Sequence, residues 1–300
     1  MRLQVTAQPC EDKCRNTLNY YNSFIRSPVL VQYYHQSCLT RCYHAARAQA
    51  SCGVQRRHQF RVIGGTDSQE CEFPWVVGVL VSRFWCGGAI LDRRHILTAA
   101  HCFKDSATSR VFSARDVTVT VGSSKVYLQK RLAVQAVNLH PQHTSHINDY
   151  DVAVLTLQQE LIFSDCIAPL CLPPPGSSPF DADFCVAAGW GITVYSETAT
   201  PPQILQKVVL PLVPQHLCLK VYAAKYINNL KLCAGNLRNG GVDTCRGDSG
   251  GPLMCRVQNR YYSYGIVSFG SICGAPNRPG IYTNVVNPEI LNFVHEALRY

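Results

Sequence analysis

From Val62 onward, apolar residues come in short runs broken by Gly, Pro and Asn/Asp/Ser clusters. The runs Val76–Val81, Val117–Val121, Leu132–Leu139, Val152–Leu157, Val208–Val213 and Tyr261–Phe269 alternate or are apolar throughout, as strands do. No helical period intervenes between them, which predicts an all-β barrel or sandwich. One helix closes the chain: Asn287 is an N-cap with Pro288 in the first helical position. Ile290, Leu291, Phe293, Val294, Ala297 and Leu298 then follow at helical spacing. The first sixty-one residues carry a different pattern. Cys10 and Cys14, and again Cys38 and Cys42, stand at i and i+4 on one helical face, and Ser27-Pro28 marks a turn between them. Two antiparallel helices stapled by 10–42 and 14–38 satisfy that spacing; a loose disulfide-linked segment satisfies the composition equally, and four cysteines allow three pairings.

Composition narrows the compartment and the chemistry. Sixteen cysteines spread over the chain read as a disulfide framework in an oxidising, extracellular setting, and the absence of any Cys-x-x-Cys pair argues against zinc. Residues 1–61 hold nine Lys/Arg against two Asp/Glu, a net +7, while residues 62–300 hold nineteen against seventeen, a net +2. The basic first segment would attract an anionic surface, a glycosaminoglycan or an acidic partner, although a solvated basic face explains it as simply. Nucleic acid is not an expected partner. Charges or prolines interrupt every apolar run well short of the ~20 residues that a membrane helix needs. Met1–Cys10 contains no signal-peptide core, so a secretory signal is expected upstream of this chain. Between Asp116 and Asp149 there is no Asp or Glu, which disfavours a calcium loop; no metal or organic cofactor is expected.

Three stretches carry candidate chemistry: Leu97-Thr98-Ala99-Ala100-His101-Cys102, Asp149-Tyr150-Asp151-Val152-Ala153-Val154-Leu155, and Gly247-Asp248-Ser249-Gly250-Gly251-Pro252 after Asp243-Thr244-Cys245-Arg246. A serine set among glycines is an exposed nucleophile on a tight turn, and it needs a base to attack an amide at neutral pH. Gly-x-Ser-x-Gly also suits the nucleophile elbow of α/β-hydrolases, which requires an acid and a histidine after the serine. Only 51 residues follow Ser249, with the single histidine His295 on the terminal helix, and the order fails.

The order His…Asp…Ser and these flanks resemble the chymotrypsin-like serine proteases over Val62 to Tyr300. The resemblance implies two six-stranded antiparallel β-barrels with a C-terminal helix and the active site between the barrels. It makes Ser249 the nucleophile, His101 the base, Asp151 its orienting acid, and the N–H groups of Gly247 and Ser249 the oxyanion hole. It places Asp243 at the floor of the primary specificity pocket, with Thr244, Ser268, Gly270 and Gly280 lining it, and so implies trypsin-like cleavage after Arg or Lys. Two residues depart from the pattern: Phe269 stands for the commoner Trp, and Ile272 for a glycine at the pocket rim. A β-branched side chain there resists positive φ and adds bulk.

Arg61–Val62, before Gly64-Gly65, resembles the family's zymogen cleavage site, with the freed Val62 ammonium expected to pair with Asp248. That divides the chain into a basic cysteine-rich propeptide, 1–61, and a protease domain, 62–300. The resemblance also pairs Cys86 with Cys102, Cys185 with Cys255, Cys218 with Cys233 and Cys245 with Cys273, and ties Cys52 to Cys171 as a propeptide tether. Cys71 and Cys166 are the remainder, and exchange among Cys52, Cys71, Cys166 and Cys171 stays open. Protein or peptide substrates and protein protease inhibitors are the implied partners. The alternative is a protease-fold binding or adaptor protein with little or no activity, its pocket obstructed by Ile272.

Overall fold

The computed structural model describes residues 14–15, 30–32, 35–38, 52–55, 65–105, 110–193 and 198–299. The chain divides into two compact units, Met1–Cys52 and Gly53–Tyr300. In the first, Cys14 is bonded to Cys38, and the residues described around both are helical. The expected partners Cys10 and Cys42, like Arg61 and Val62, lie outside the described residues.

The second unit is all-β. Six strands, β2 (Val76–Val81), β3 (Phe84–Ile90), β4 (His95–Thr98), β5 (Val117–Val121), β6 (Lys130–Leu139) and β7 (Ala153–Leu157), close a barrel in the order β2-β3-β4-β7-β6-β5. A second antiparallel sheet has eight strands. Its central strands are β8 (Phe184–Gly189), β9 (Gln206–Leu210), β11 (Lys231–Ala234), β12 (Pro252–Val257), β13 (Arg260–Phe269) and β14 (Gly280–Asn284). The two-residue strands β1 (Thr66–Asp67) and β10 (Leu212–Val213) flank them. They pair in the order β1-β9-β8-β12-β13-β14-β11-β10, a half-barrel whose hydrogen-bonded ladder stays open between β1 and β10, where the resemblance implies a second six-stranded barrel. Pro211, which lacks an N–H, divides the expected run Val208–Val213 into β9 and β10.

Inward-facing Val77, Val79, Ile96 and Leu155 fill the closed barrel, and Leu253, Tyr264 and Tyr282 fill the second sheet. Each such side chain contributes about 1.5–3 kcal/mol of burial. Helix α1 (Gln215–Val221) precedes β11, and helix α2 (Pro288–Ala297) ends the fold. The Asn287 side chain accepts from the N–H groups of Glu289 and Ile290, so the cap read from the sequence is formed, and Ile290, Leu291 and Val294 are buried beneath it. No described helix is long and apolar enough to cross a membrane.

Disulfides join Cys86 to Cys102, Cys185 to Cys255, Cys218 to Cys233, Cys245 to Cys273 and Cys71 to Cys166. Cys52 and Cys171 are both disulfide-bonded. Just past Cys52 the chain is part of the second unit: the Gly53 N–H donates to the Pro169 carbonyl at 2.8 Å, and the Tyr261 N–H to the Gly53 carbonyl at 2.9 Å. The buried Gln55 side chain then joins a buried ion pair, Lys207 Nζ to Glu72 Oε1 at 2.6 Å.

Candidate active site

Strand pairing brings the histidine and the aspartate together. β4 and β7 are antiparallel neighbours with Thr98 opposite Ala153, so the chain leaving β4 and the chain entering β7 lie at the same end of the barrel. His101 sits on the 3-10 turn Ala100–Phe103, and Asp151 two residues before β7. The fully buried Asp151 carboxylate accepts from the His101 backbone N–H (Oδ1, 2.8 Å), and its Oδ2 lies 2.7 Å from His101 Nδ1. The Ser268 hydroxyl donates to Oδ2, and the Thr283 hydroxyl donates to the Asp151 carbonyl at 2.8 Å. Burial would push the Asp151 carboxyl up, but the His101 charge and these donors outweigh it and hold it far below the usual carboxylate range. For His101, burial lowers proton affinity and Asp151 more than restores it, while Lys231 opposes; the imidazole titrates above its ordinary value.

Ser249 lies three residues before β12, on a turn with Gly247 (φ 98°) and Gly250 (φ 82°) in the left-handed region. A Cβ at Gly250 would stand 2.3 Å from Thr98 Oγ1, so only glycine fits between the serine and the end of β4. The Ser249 carbonyl accepts from the Gly87 N–H at 2.7 Å. The Cys86–Cys102 disulfide packs between the two segments, with Cys102 Sγ 4.0 Å from His101 Nε2 and 3.8 Å from the Ser249 carbonyl oxygen. Within the described residues Ser249 Oγ makes no hydrogen bond to His101, and the N–H groups of Gly247 and Ser249 have no acceptor.

Asp243 and Asp248 line one cavity of about 220 Å³, bounded also by Gly65, Gly189, Gly191, Thr244, Cys273 and Gly274. Asp243 accepts from the Thr244 N–H (2.8 Å) and the Gly274 N–H (3.1 Å). Burial pushes its carboxyl up to about 6, with the Asp248 charge adding to the effect. Gly280 lies against it, since a Cβ there would stand 2.6 Å from Asp243 Oδ1. Asp248 accepts from the N–H groups of Gly191 (2.8 Å) and Cys245 (2.9 Å), and burial raises its carboxyl to about 6 as well. Cβ atoms on Gly189 or Gly191 would collide with this carboxylate. Among the described residues no cation pairs with either acid.

A family model for trypsin matches residues 62–292. The chain belongs to the trypsin family of serine proteases. It is 36% identical over 253 residues to transmembrane protease serine 5 of Homo sapiens, a match covering 83% of this chain and 54% of that protein. It is also 36% identical over 244 residues to coagulation factor XI of Bos taurus, covering 80% of this chain and 38% of that protein. The chain therefore spans about half the length, or less, of these two relatives.

Within that family frame two residues, Ser268 and Ile272, stand differently from the sequence expectation. Ser268, expected in the specificity pocket, directs its hydroxyl to Asp151. Thr244 lines the cavity as expected, and its hydroxyl lies 3.0 Å from the Tyr282 phenol. Ile272 does not adopt positive φ, because the left-handed turn falls on Gly274 (φ 67°); its side chain is 49% exposed. The anticipated backbone conflict at Ile272 is thus absent, and its bulk remains. Glu70, Cys71 and Cys166 cluster closely enough for a metal, but the Cys71–Cys166 bond withdraws both thiolates from ligation. Lys231, a buried cation beside Asp149, escaped the sequence reading because a lysine in a strand reads as solvent-facing.

Proposed function

We propose that the chain is a serine endopeptidase that cleaves peptide bonds after Arg or Lys, made as a zymogen activated by cleavage of Arg61–Val62 in an extracellular, oxidising compartment. The observation that carries this proposal is the buried Asp151 carboxylate, which engages the backbone N–H and the ring Nδ1 of His101. With Nδ1 turned to Asp151, His101 has Nε2 available on the Ser249 side. In the proposed mechanism Nε2 takes the Ser249 proton as Oγ adds to the substrate carbonyl carbon. The oxyanion is bound by the N–H groups of Gly247 and Ser249, each donor contributing about 3–4 kcal/mol. His101 then returns the proton to the leaving amine as the C–N bond breaks, and water attacks the acyl-Ser249 ester by the same path. Asp151 stays ionised and stabilises the imidazolium.

Asp243 supports the Arg/Lys preference, because its carboxylate is held by two N–H groups in a cavity and lacks a cation that a basic substrate side chain would supply. Asp248, cradled by glycines and held only by N–H groups, is suited to pair with the Val62 ammonium after cleavage. Residues 1–61 would then act as a propeptide tethered by Cys52 to Cys171, and residues 62–300 as the protease domain. Protein inhibitors that fill the same cleft, and an anionic surface or glycosaminoglycan that meets the basic segment, complete the proposed partners. The test is turnover of matched peptides with Arg, Lys, Phe or Ala before the scissile bond, using protein cut at Arg61–Val62. Strong preference for Arg and Lys is expected. The half-exposed Ile272 at the rim favours a second reading, a protease-fold binding protein; weak turnover of all four peptides after a verified cut would select it.

A further inference from the structure

Lys231, on β11, is 1% exposed, and a buried ammonium needs partners. Its hydrogen-bond and ion-pair partners belong to the turn that delivers Asp151. Its Nζ donates to the Asn148 carbonyl and lies 3.3 Å from Asp149 Oδ1. Asn228, just before β11, donates from Nδ2 to both Asp149 oxygens at 3.1 Å. On its other side the ammonium lies 5.6 Å from the centre of the Phe269 ring.

That turn is strained. Asn148 (φ 49°) and Tyr150 (φ 50°) are both left-handed, a conformation that costs a residue with a Cβ about 1–3 kcal/mol and persists only where the surroundings enforce it. Tyr150 is held from outside, stacked on His140 at 4.6 Å and donating from its hydroxyl to Glu289. Asn148 and Asp149 are held from inside, by Lys231 and Asn228. The two holders come from the second sheet, whereas the turn connects β6 and β7 of the closed barrel. The link therefore joins the second sheet to the closed barrel two and three residues before Asp151.

We propose that Lys231 is a positioning residue for the catalytic pair: held by Asp149 and the Asn148 carbonyl, it fixes the turn that sets Asp151 against His101 and places a positive charge within electrostatic reach of both. The inference rests on the protease function proposed above. The groups facing His101 are Asp151 and His143 from the β6–β7 connection and Lys231 from β11, with Lys104 following on its own segment. Those facing Lys231 are Asp149 and Asp151. Lys231 opposes the protonation of His101, so its removal raises the proton affinity of the imidazole.

The experiment compares Lys231→Gln, Lys231→Met and Asp149→Asn in the full chain cut at Arg61–Val62. It reads the His101 ring-proton titration by NMR together with the acidic limb of kcat/KM. Both lysine variants are expected to move the His101 midpoint up. Lys231→Met should lower kcat about tenfold with little change in KM, and Lys231→Gln, which keeps a donor for the Asn148 carbonyl, should lose less. Combined with Asp149→Asn, Lys231→Met should cost less than the product of the two separate losses, since both break one link. A residue that only stabilised the fold would lower Tm and leave the midpoint unmoved. An unshifted midpoint in folded Lys231→Gln, or multiplicative losses in the double variant, overturns the inference. If the uncut and cut wild type both lack turnover while the NMR shifts occur as stated, the protease proposal fails and the electrostatic link to His101 stands.

Discussion

Replacing Asp243 by Asn tests the specificity pocket with little change of volume. In the free protein, burial pushes the Asp243 carboxyl up to about 6, against about 3.9 for an exposed aspartate. A difference of that size disfavours the ionised form by roughly 3 kcal/mol at 1.36 kcal/mol per pH unit. A guanidinium or ammonium entering the cavity removes that penalty and adds charge-assisted hydrogen bonds to a carboxylate already oriented by the N–H groups of Thr244 and Gly274. Asp243→Asn should therefore lower kcat/KM for an Arg peptide by about 10²-fold, and more if the desolvated cation is left wholly unpaired. The matched citrulline peptide, neutral and nearly isosteric, should change less than threefold. The pH dependence carries the same signature. In the wild type, kcat/KM for Arg should fall as pH drops through about 6, where Asp243 takes up a proton, beyond any fall seen with citrulline. The assay is a set of progress curves for both peptides between pH 5 and 8. An Asp243→Asn protein that keeps the Arg-over-citrulline ratio would refute the assignment of Asp243 as the cation's partner.

Asp151→Asn, which leaves His101 in the wrong tautomer, should reduce kcat by about 10⁴-fold while the fold persists, as checked by near-UV circular dichroism. Asp248, whose carboxyl is raised to about 6 by burial, is a group with a folded-state pKa above its unfolded value. In the uncut chain its contribution to stability is complete below about pH 4 and is lost as pH rises through about 6. The uncut protein should therefore have a Tm that falls from pH 4 to 7, and Asp248→Asn should flatten that slope. Ile272→Gly should raise kcat/KM for Arg and Lys peptides severalfold if the exposed side chain narrows the rim, and leave Ala peptides unchanged.

Much of the closed barrel was legible because its strands follow simple patterns. Val117–Val121 alternates Val and Thr, and Val76–Val81 is apolar apart from Gly78; both have the expected bounds. Among the strands that were not read, three are hidden by their composition. β3 contains Gly87 and Gly88, β4 begins with a histidine, and β14 begins with a glycine that makes room for Asp243. The histidine, aspartate and serine segments were visible through their local flanks. What joins them is long-range, and no local pattern encodes it: Ser268 on β13 donates to Asp151 across 117 positions, and Lys231 reaches the Asn148 carbonyl across 83. The conformation at Ile272 also lay beyond sequence reading, because which residue of the turn takes positive φ depends on the Cys245–Cys273 bond and the N–H that Gly274 donates to Asp243.

The most direct test of the central claim is stoichiometric labelling of Ser249 by an arginine-mimicking phosphonate, read by intact mass and peptide mapping before and after cleavage at Arg61–Val62. The account predicts one label per chain, on Ser249, only after a cut that exposes Val62-Ile63-Gly64-Gly65 as a new N-terminus, and no label in His101→Ala. Absence of label on Ser249 in protein whose cut has been verified by N-terminal sequencing would contradict it.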